Sequence, residues 1–321
     1  MPGDDPVTSD NPVADDNPVP GDNPVPGGNP AASDNPVPAA VRDRLRAARG
    51  FVFDLDGTLV LTDRANTSYA PLPGALPLTR WLAACGVPFV LFTNGTAKTP
   101  QAYARALAEA GFGVAEGSVL TPAVSAAELF ARRGYRRVMA LGTEGLAGPL
   151  RAAGLDVVPP VRGQAADAVL AGFYRQFSMD DLEAACDAVW QGARLYSCSQ
   201  SVFFATADGR ALGTSRAITA MIRSITGCRV EVAGKPSQHA LGTAARRLGL
   251  RPRDLAVVGD DPDLEMPMAR RGGALAVAVS TGVGTPASFA ALPAAQAPHL
   301  FLTSVADLLT LCAEDGKSRE E

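Results

Sequence analysis

The chain has 321 residues, of which 47% are hydrophobic and 19% charged, with a formal net charge of −4. That length accommodates two modest domains or one large α/β unit, and Gly, Pro or charge interrupts every apolar run before the roughly 20 residues of a membrane span. The acidic, Pro-rich beginning has neither the basic nor the apolar region of a secretory signal, so a cytoplasmic protein with no membrane partner is expected.

Residues 1–39 hold seven Asp, no Lys or Arg, and three copies of Asp-Asn-Pro-Val-Pro at 16–20, 22–26 and 34–38. Proline removes backbone donors and the aspartates repel, so this stretch is expected to stay a disordered, solubilising tail, with partner docking in polyproline II form as the alternative. The remaining 29 basic and 26 acidic residues are near balance, without the concentrated basic face of a nucleic-acid binder.

Order is expected from about Val41. A short basic helix over 41–49 leads into a buried strand, 51–53, and the segment Asp54-Leu-Asp-Gly-Thr-Leu59. A helix over 77–85, a strand over 87–92, a turn at 93–96 and a helix over 100–110 follow. This alternation reads as a parallel sheet with crossover helices. A second α/β unit then runs through helix 123–133, strand 137–141, helix 145–153, strand 168–172, helix 179–190 with Ser178 as its N-cap, and helix 214–227. The first rhythm resumes with strand 229–233, helix 236–248, strand 255–260, strand 274–279 and helix 304–311. The expected organisation is a tail over 1–39, a core from 40–129 and 230–315, an inserted unit over 130–229, and a disordered end over 316–321.

Asp54 and Asp56 stand at the C-terminal end of a buried strand, where open α/β sheets form their ligand crevice. Two unit charges about 4 Å apart repel by about 4 kcal/mol at an effective dielectric of about 20, and a divalent cation relieves this. All-oxygen ligation favours Mg²⁺ over zinc or copper. Asp260 and Asp261 end another strand the same way, with Asp263 and Glu265 close behind. Thr93, Asn94 and Gly95 lie between a strand and a helix, where a hydroxyl and free N–H groups suit a phosphoryl oxygen. Lys235, in Gly234-Lys-Pro-Ser237, adds a positive charge at another strand-to-helix turn. The five cysteines are scattered without a Cys-x-x-Cys pair, which points to reduced thiols. With only His239 and His299 in the chain, a His-rich metal site is excluded.

These segments, DLDGT at 54–58, TNG at 93–95, GKPS at 234–237 and GDD at 259–261, resemble the four motifs of the haloacid dehalogenase (HAD) superfamily of phosphatases. The insertion between the second and third looks like a type IIA cap. The resemblance covers about residues 48–315 and extends to ALPLTRWLAACGVPFVLFTNGT, LGTEGLAGPLRAAGL and VLAGFYRQFSMDDLEAACDAV. It implies a Rossmann-like α/β core with a parallel sheet, an inserted α/β cap, and Mg²⁺-dependent hydrolysis of a small phosphomonoester. Asp54 would then be the nucleophile and Asp56 the acid and base. Thr93 and Lys235 would hold the phosphoryl oxygens beside Asn94 and Gly95. Asp54, Asp260 and the Asp56 carbonyl would ligate the metal, with Asp261 and Glu265 around them.

The pattern departs from the family in three places. Glu265 stands where relatives commonly carry Asp. Leu212–Arg216 keeps only one glycine of the usual turn. The cap loop reads Ser197-Cys-Ser-Gln-Ser-Val-Phe-Phe204, which nominates Ser199, Gln200 and Phe203 for the substrate wall, with Arg210 and Arg216 as alternative readers of an anionic tail. Relatives also suggest a homodimer through the cap. The rival readings are a phospho-ligand-binding protein without turnover, and a dehalogenase, which would leave Asp56 and Asp260 unexplained.

Overall fold

The computed structural model describes residues 37–63, 67–115, 117–206 and 209–317, all within one unit spanning 32–321. The repeat tail therefore lies outside the described residues up to position 36, as do 318–321. Val37 packs against the core and the first helix is Ala39–Ala47, so ordered chain includes residues before the expected Val41.

The central strand, Gly50–Phe53, is buried along its whole length. Phe89–Phe92 flanks it on one side and Leu255–Gly259 on the other, both parallel to it. Leu275–Val279, Leu300–Leu302 and Val119–Leu120 complete a six-stranded sheet. Side chains alternate across it. Phe51 and Phe53 join one apolar cluster with the helices Ala75–Ala84 and Val305–Lys317; Val52 joins another with Gln238–Leu248 and Glu265–Gly272. A parallel sheet covered on both faces reads as a near-continuous apolar run, as this one does. Because the three middle strands are in register at Phe53, Leu91 and Val258, the residues that follow them, Asp54, Thr93 and Asp260, emerge on the same edge.

The insertion forms its own parallel sheet of five strands, in the order Val230–Val232, Arg194–Ser197, Ala168–Ala171, Arg137–Leu141 and Asp156–Val158. Met179–Trp190 and Thr214–Thr226 cover one face; Pro122–Arg133 and Glu144–Ala152 cover the other. Ser178 caps its helix as expected, accepting from Asp181 N at 3.2 Å. The seam differs from the expected 129/130 and 229/230. Val230 pairs with Leu195, so this strand belongs to the cap sheet rather than the core, and the helix Pro122–Arg133 packs under the same sheet.

Two antiparallel hairpins, Val60–Thr62 with Tyr69–Pro71 and Phe203–Thr206 with Gly209–Leu212, complete the site's surroundings. Neither was expected, since their strands are too short to show a period. The helix Glu265–Gly272 was also missed, because Pro267, Arg270 and Arg271 break the apolar pattern. Helix Val305–Lys317 runs past the expected stop at 311 into the end expected to be disordered. Among the described residues no helix is long and apolar enough to cross a membrane.

Candidate active site

A cavity of about 100 Å³ opens between the core sheet's C-terminal edge and the cap, lined by Asp54, Asp56, Thr93, Asn94, Gly95, Lys235, Asp260, Asp261 and Glu265 from the core. The four sequence segments thus converge at one place.

Asp54 is buried and its two carboxylate oxygens have different neighbours. Oδ1 pairs with the Lys235 ammonium. Oδ2 faces Asp260 Oδ1 across the Thr58 hydroxyl, which lies 3.3 Å from the former and 3.2 Å from the latter. One hydroxyl proton serves only one of them at a time. Asp260 Oδ2 accepts from Val283 N at 2.7 Å, which leaves Oδ1 turned to Asp54. Backbone at Gly57 and Gly282 encloses this carboxylate. A Cβ at Gly282 would fall 1.8 Å from Asp260 Oδ2, and one at Gly57, whose φ is +89°, would fall 2.5 Å from it.

Lys235 is 1% exposed and also pairs with Glu265, Nζ to Oε1 at 2.7 Å. The extra methylene at position 265 therefore does not cost the lysine its partner, and Glu265 Oε2 additionally accepts from Asp261 N at 3.2 Å. Burial alone would favour the neutral amine, but Asp54 and then Glu265 hold Lys235 above the ordinary lysine value. The carboxylates remain in excess. Burial, then the Asp54 charge, pushes Asp260 well above the usual range. Burial likewise raises Asp261 to about 6, and raises Glu265 in spite of Lys235. Asp260 faces Asp54 on the side away from Lys235, and these hard oxygen donors fit a divalent cation such as Mg²⁺. Among the described residues no three Asp, Glu, His or Cys side chains group as a metal site. The carboxylates that face each other here are two, Asp54 and Asp260.

Asp56 accepts from Thr62 Oγ1 and Thr93 Oγ1, each at 3.1 Å, and Thr93 Oγ1 in turn accepts from Gly95 N at 2.9 Å. Burial and then the neighbouring Asp54 raise the Asp56 carboxyl to about 6. The Thr93 hydroxyl, expected on the phosphoryl group, is thus engaged with Asp56 here.

Asn94 has a task the sequence did not reveal. Its Oδ1 accepts from Lys235 N at 2.9 Å, and its Nδ2 donates to Lys235 O at 3.0 Å and to the cap's Ser199 Oγ at 3.2 Å. One amide clamps the lysine's main chain and ties it to the cap. Asn94→Ala is expected to keep the fold and lower kcat by about 10- to 100-fold, the equivalent of one or two buried hydrogen bonds. Steady-state kinetics would check it; a change in KM alone would mean that the clamp does not position Lys235.

From the cap, Ser199 and Phe203 line the cavity as expected, joined by Phe173, Ser201, Thr214 and Ser215. Gln200 does not. It contacts Ser199 O at 3.4 Å and Thr219 Oγ1 at 3.5 Å, and with Arg216 it lines a separate groove. The tight ring Ser199-Ser201 turns the intervening side chain away, since Ser199 Oγ accepts from Ser201 N at 3.1 Å. The side chains of Phe204 and Arg210 lie outside the described set. Thr58, Thr62 and the Gly282–Gly284 loop were missed. A glycine-rich run after a strand, Thr281-Gly-Val-Gly-Thr285, is the signal that could have found the loop.

Haloacid dehalogenase-like hydrolases match residues 51–156, and a second HAD-hydrolase-like family matches 232–308. Chronophin from Mus musculus is 30% identical over 284 residues, covering 84% of this chain and 95% of its own. The chain belongs to the haloacid dehalogenase-like hydrolases. Among solved structures, 4-nitrophenylphosphatase from Thermotoga maritima superposes with a TM-score of 0.74 at 26% identity, over 83% of this chain and 98% of that one. Glycerol phosphate phosphatase from Mycobacterium tuberculosis, solved with magnesium, gives 0.72 at 28% identity over 83% and 77%. This HAD member has the type IIA architecture of these relatives, a Rossmann-like core with an inserted α/β cap, and it is a hydrolase of phosphoric monoesters.

Proposed function

We propose that the protein hydrolyses a small phosphomonoester through an aspartyl-phosphate on Asp54, with Mg²⁺ as cofactor. The observation that carries this reading is the asymmetric setting of Asp54: Lys235 on one oxygen, Asp260 facing the other, and Asp56 alongside in the same cavity.

An Asp54 oxygen attacks phosphorus while the bond to the leaving oxygen breaks, and Asp56 gives that oxygen its proton. Water then attacks the aspartyl-phosphate. Asp56, now ionised, takes the water's proton, which frees inorganic phosphate and restores Asp54. A carboxyl raised to about 6 suits both directions near neutral pH. Lys235 and the N–H groups after Thr93 hold the phosphoryl oxygens as charge develops. Mg²⁺, when bound by Asp54, Asp260 and the Asp56 carbonyl, would neutralise the carboxylate surplus and polarise a phosphoryl oxygen. Asp261 and Glu265 keep the loop and the lysine in place. We also propose a cytoplasmic location and a homodimer through the cap, on the scattered thiols and the resemblance respectively.

Turnover of p-nitrophenyl phosphate should stop in EDTA and return with Mg²⁺. Independently, Mg²⁺ should raise Tm, by about 2.7 kcal/mol of stability at a hundredfold excess over Kd, and Asp260→Asn should remove most of that rise. Full turnover in rigorously metal-free protein would overturn the metal role.

A further inference from the structure

Asp56 has two hydroxyl neighbours, and they stand in different places. Thr93, on Oδ2, lines the cavity; Thr62, on Oδ1, is buried and does not line it. Thr93 Oγ1 also accepts from Gly95 N, in the loop offered to a phosphoryl group. The Thr62 hydroxyl has no second partner among the described residues. Oδ2 is therefore the Asp56 oxygen beside the cavity, and Oδ1 is the one tied back into the protein.

Thr62 owes its place to a tight fold-back. Gly57 N donates to Val60 O at 2.8 Å, which brings Val60 beside Asp56. Val60 and Thr62 share the buried face of their strand, and Thr62 stands opposite Tyr69 on the return strand. That return strand is pinned to the core. The Tyr69 hydroxyl accepts from Lys98 Nζ at 3.1 Å, and its ring meets the buried Tyr103 ring edge to face, centroids 6.4 Å apart. On the cap's side, the strand Phe203–Thr206 lies against Val60–Thr62. The cap itself is closely seated: a Cβ at Gly145 or Gly172 would fall 2.4 or 2.6 Å from an oxygen of Thr96. The Thr62 hydroxyl is thus presented by a hairpin held from both sides.

We propose that Thr62 is the positioning residue for Asp56, fixing Oδ1 so that Oδ2 carries the proton to the leaving oxygen. A protonated carboxyl has one carbonyl oxygen that accepts and one O–H that donates. With Oδ1 accepting from Thr62, the proton resides on Oδ2, on the cavity side. As Asp54 bonds to phosphorus and the bond from phosphorus to the leaving oxygen breaks, that proton passes from Oδ2 to the leaving oxygen. When a phosphoryl group engages the Thr93 hydroxyl, Thr62 is the hydroxyl that still holds Asp56. Without it the carboxyl turns about its Cβ–Cγ bond, and the aim on which proton transfer depends is lost. This rests on the phosphomonoesterase reading above.

The test measures kcat/KM of the full chain with Mg²⁺ on p-nitrophenyl, phenyl and p-methoxyphenyl phosphate, esters of similar size. A nitrophenolate leaves without a proton and the other two depend on one increasingly, so the trend across the series reads the acid and not the fold. Thr62→Val, which keeps the shape, and Thr62→Ala are each expected to lose at least about tenfold more on p-methoxyphenyl than on p-nitrophenyl phosphate. Thr62→Ser keeps the hydroxyl and should stay within about threefold of wild type on all three. Equal losses across the series in the Val and Ala variants, or no loss, overturn the inference while leaving the phosphomonoesterase intact. A Ser variant as impaired as the Val variant overturns the role of the hydroxyl. Inertness of the wild type on all three esters overturns the parent reading.

Discussion

Asp54→Asn is expected to lower phosphate release by at least about 10⁴-fold, because an amide oxygen does not displace the leaving group and no other carboxylate occupies its position. Asp260 lies beyond the Thr58 hydroxyl, and Asp56 is held by Thr62 and Thr93. The fold should survive. Asparagine keeps the volume, its amide oxygen can still accept from Lys235, and losing one charge eases the repulsion that burdens Asp260. Thermal unfolding in EDTA should therefore find the variant as stable as the parent or more so. Turnover within tenfold of wild type would show that a different group attacks phosphorus.

The second large effect combines stability and rate. Lys235 is the one cation among the described side chains that line the cavity, and it faces Asp54 and Glu265 inside the protein. Removing one partner of a buried ion pair leaves an uncompensated charge and costs about 3–5 kcal/mol. Lys235→Met should lose about that much, read as a fall in Tm of roughly 10 °C, together with about 10²–10³-fold in kcat from the missing transition-state cation. Adding Glu265→Gln removes one orphaned carboxylate, so the double variant should recover stability without recovering turnover. A double variant no more stable than Lys235→Met would show that Glu265 is not ionised against the lysine.

Much of this site was readable before any coordinates, because the chemistry sits where local pattern is strongest. The apolar run Phe51–Phe53, the Asp-Leu-Asp that ends it and the acids that end Leu255–Gly259 are signals a few residues long. Their convergence follows from the parallel sheet. What was missed depends on contacts distant in sequence. The strand at 230 was recognised as a strand, but its partner in the cap sheet is 35 residues away and nothing in Val-Glu-Val names it. Ser199 and Gln200 are adjacent polar residues. Only the folded loop, through the Ser199–Ser201 bond, decides that one faces the cavity and the other a separate groove. Thr58 and Thr62 are ordinary threonines in sequence, and they acquire their significance from Asp260, far along the chain, and Asp56. Glu265 looked like a defect until its carboxylate was found on Lys235.

The close backbone approaches at Gly145, Gly172 and Gly234 bear on how such an enzyme tolerates mutation. A Cβ at Gly234 would fall 2.7 Å from Asn94 Oδ1, and one at Gly145 or Gly172 would fall 2.4 or 2.6 Å from an oxygen of Thr96. The fit of cap to core is therefore written partly in residues that have no side chain and touch no substrate. Missense changes at these codons should behave as loss-of-function alleles while every acid and base remains in the gene. A diversification library meant to retune selectivity should hold these three glycines constant and spend its variation on the tip from Ser201 to Phe203. The joint and the wall can then diverge independently, which lets one hydrolytic core be refitted to new alcohols.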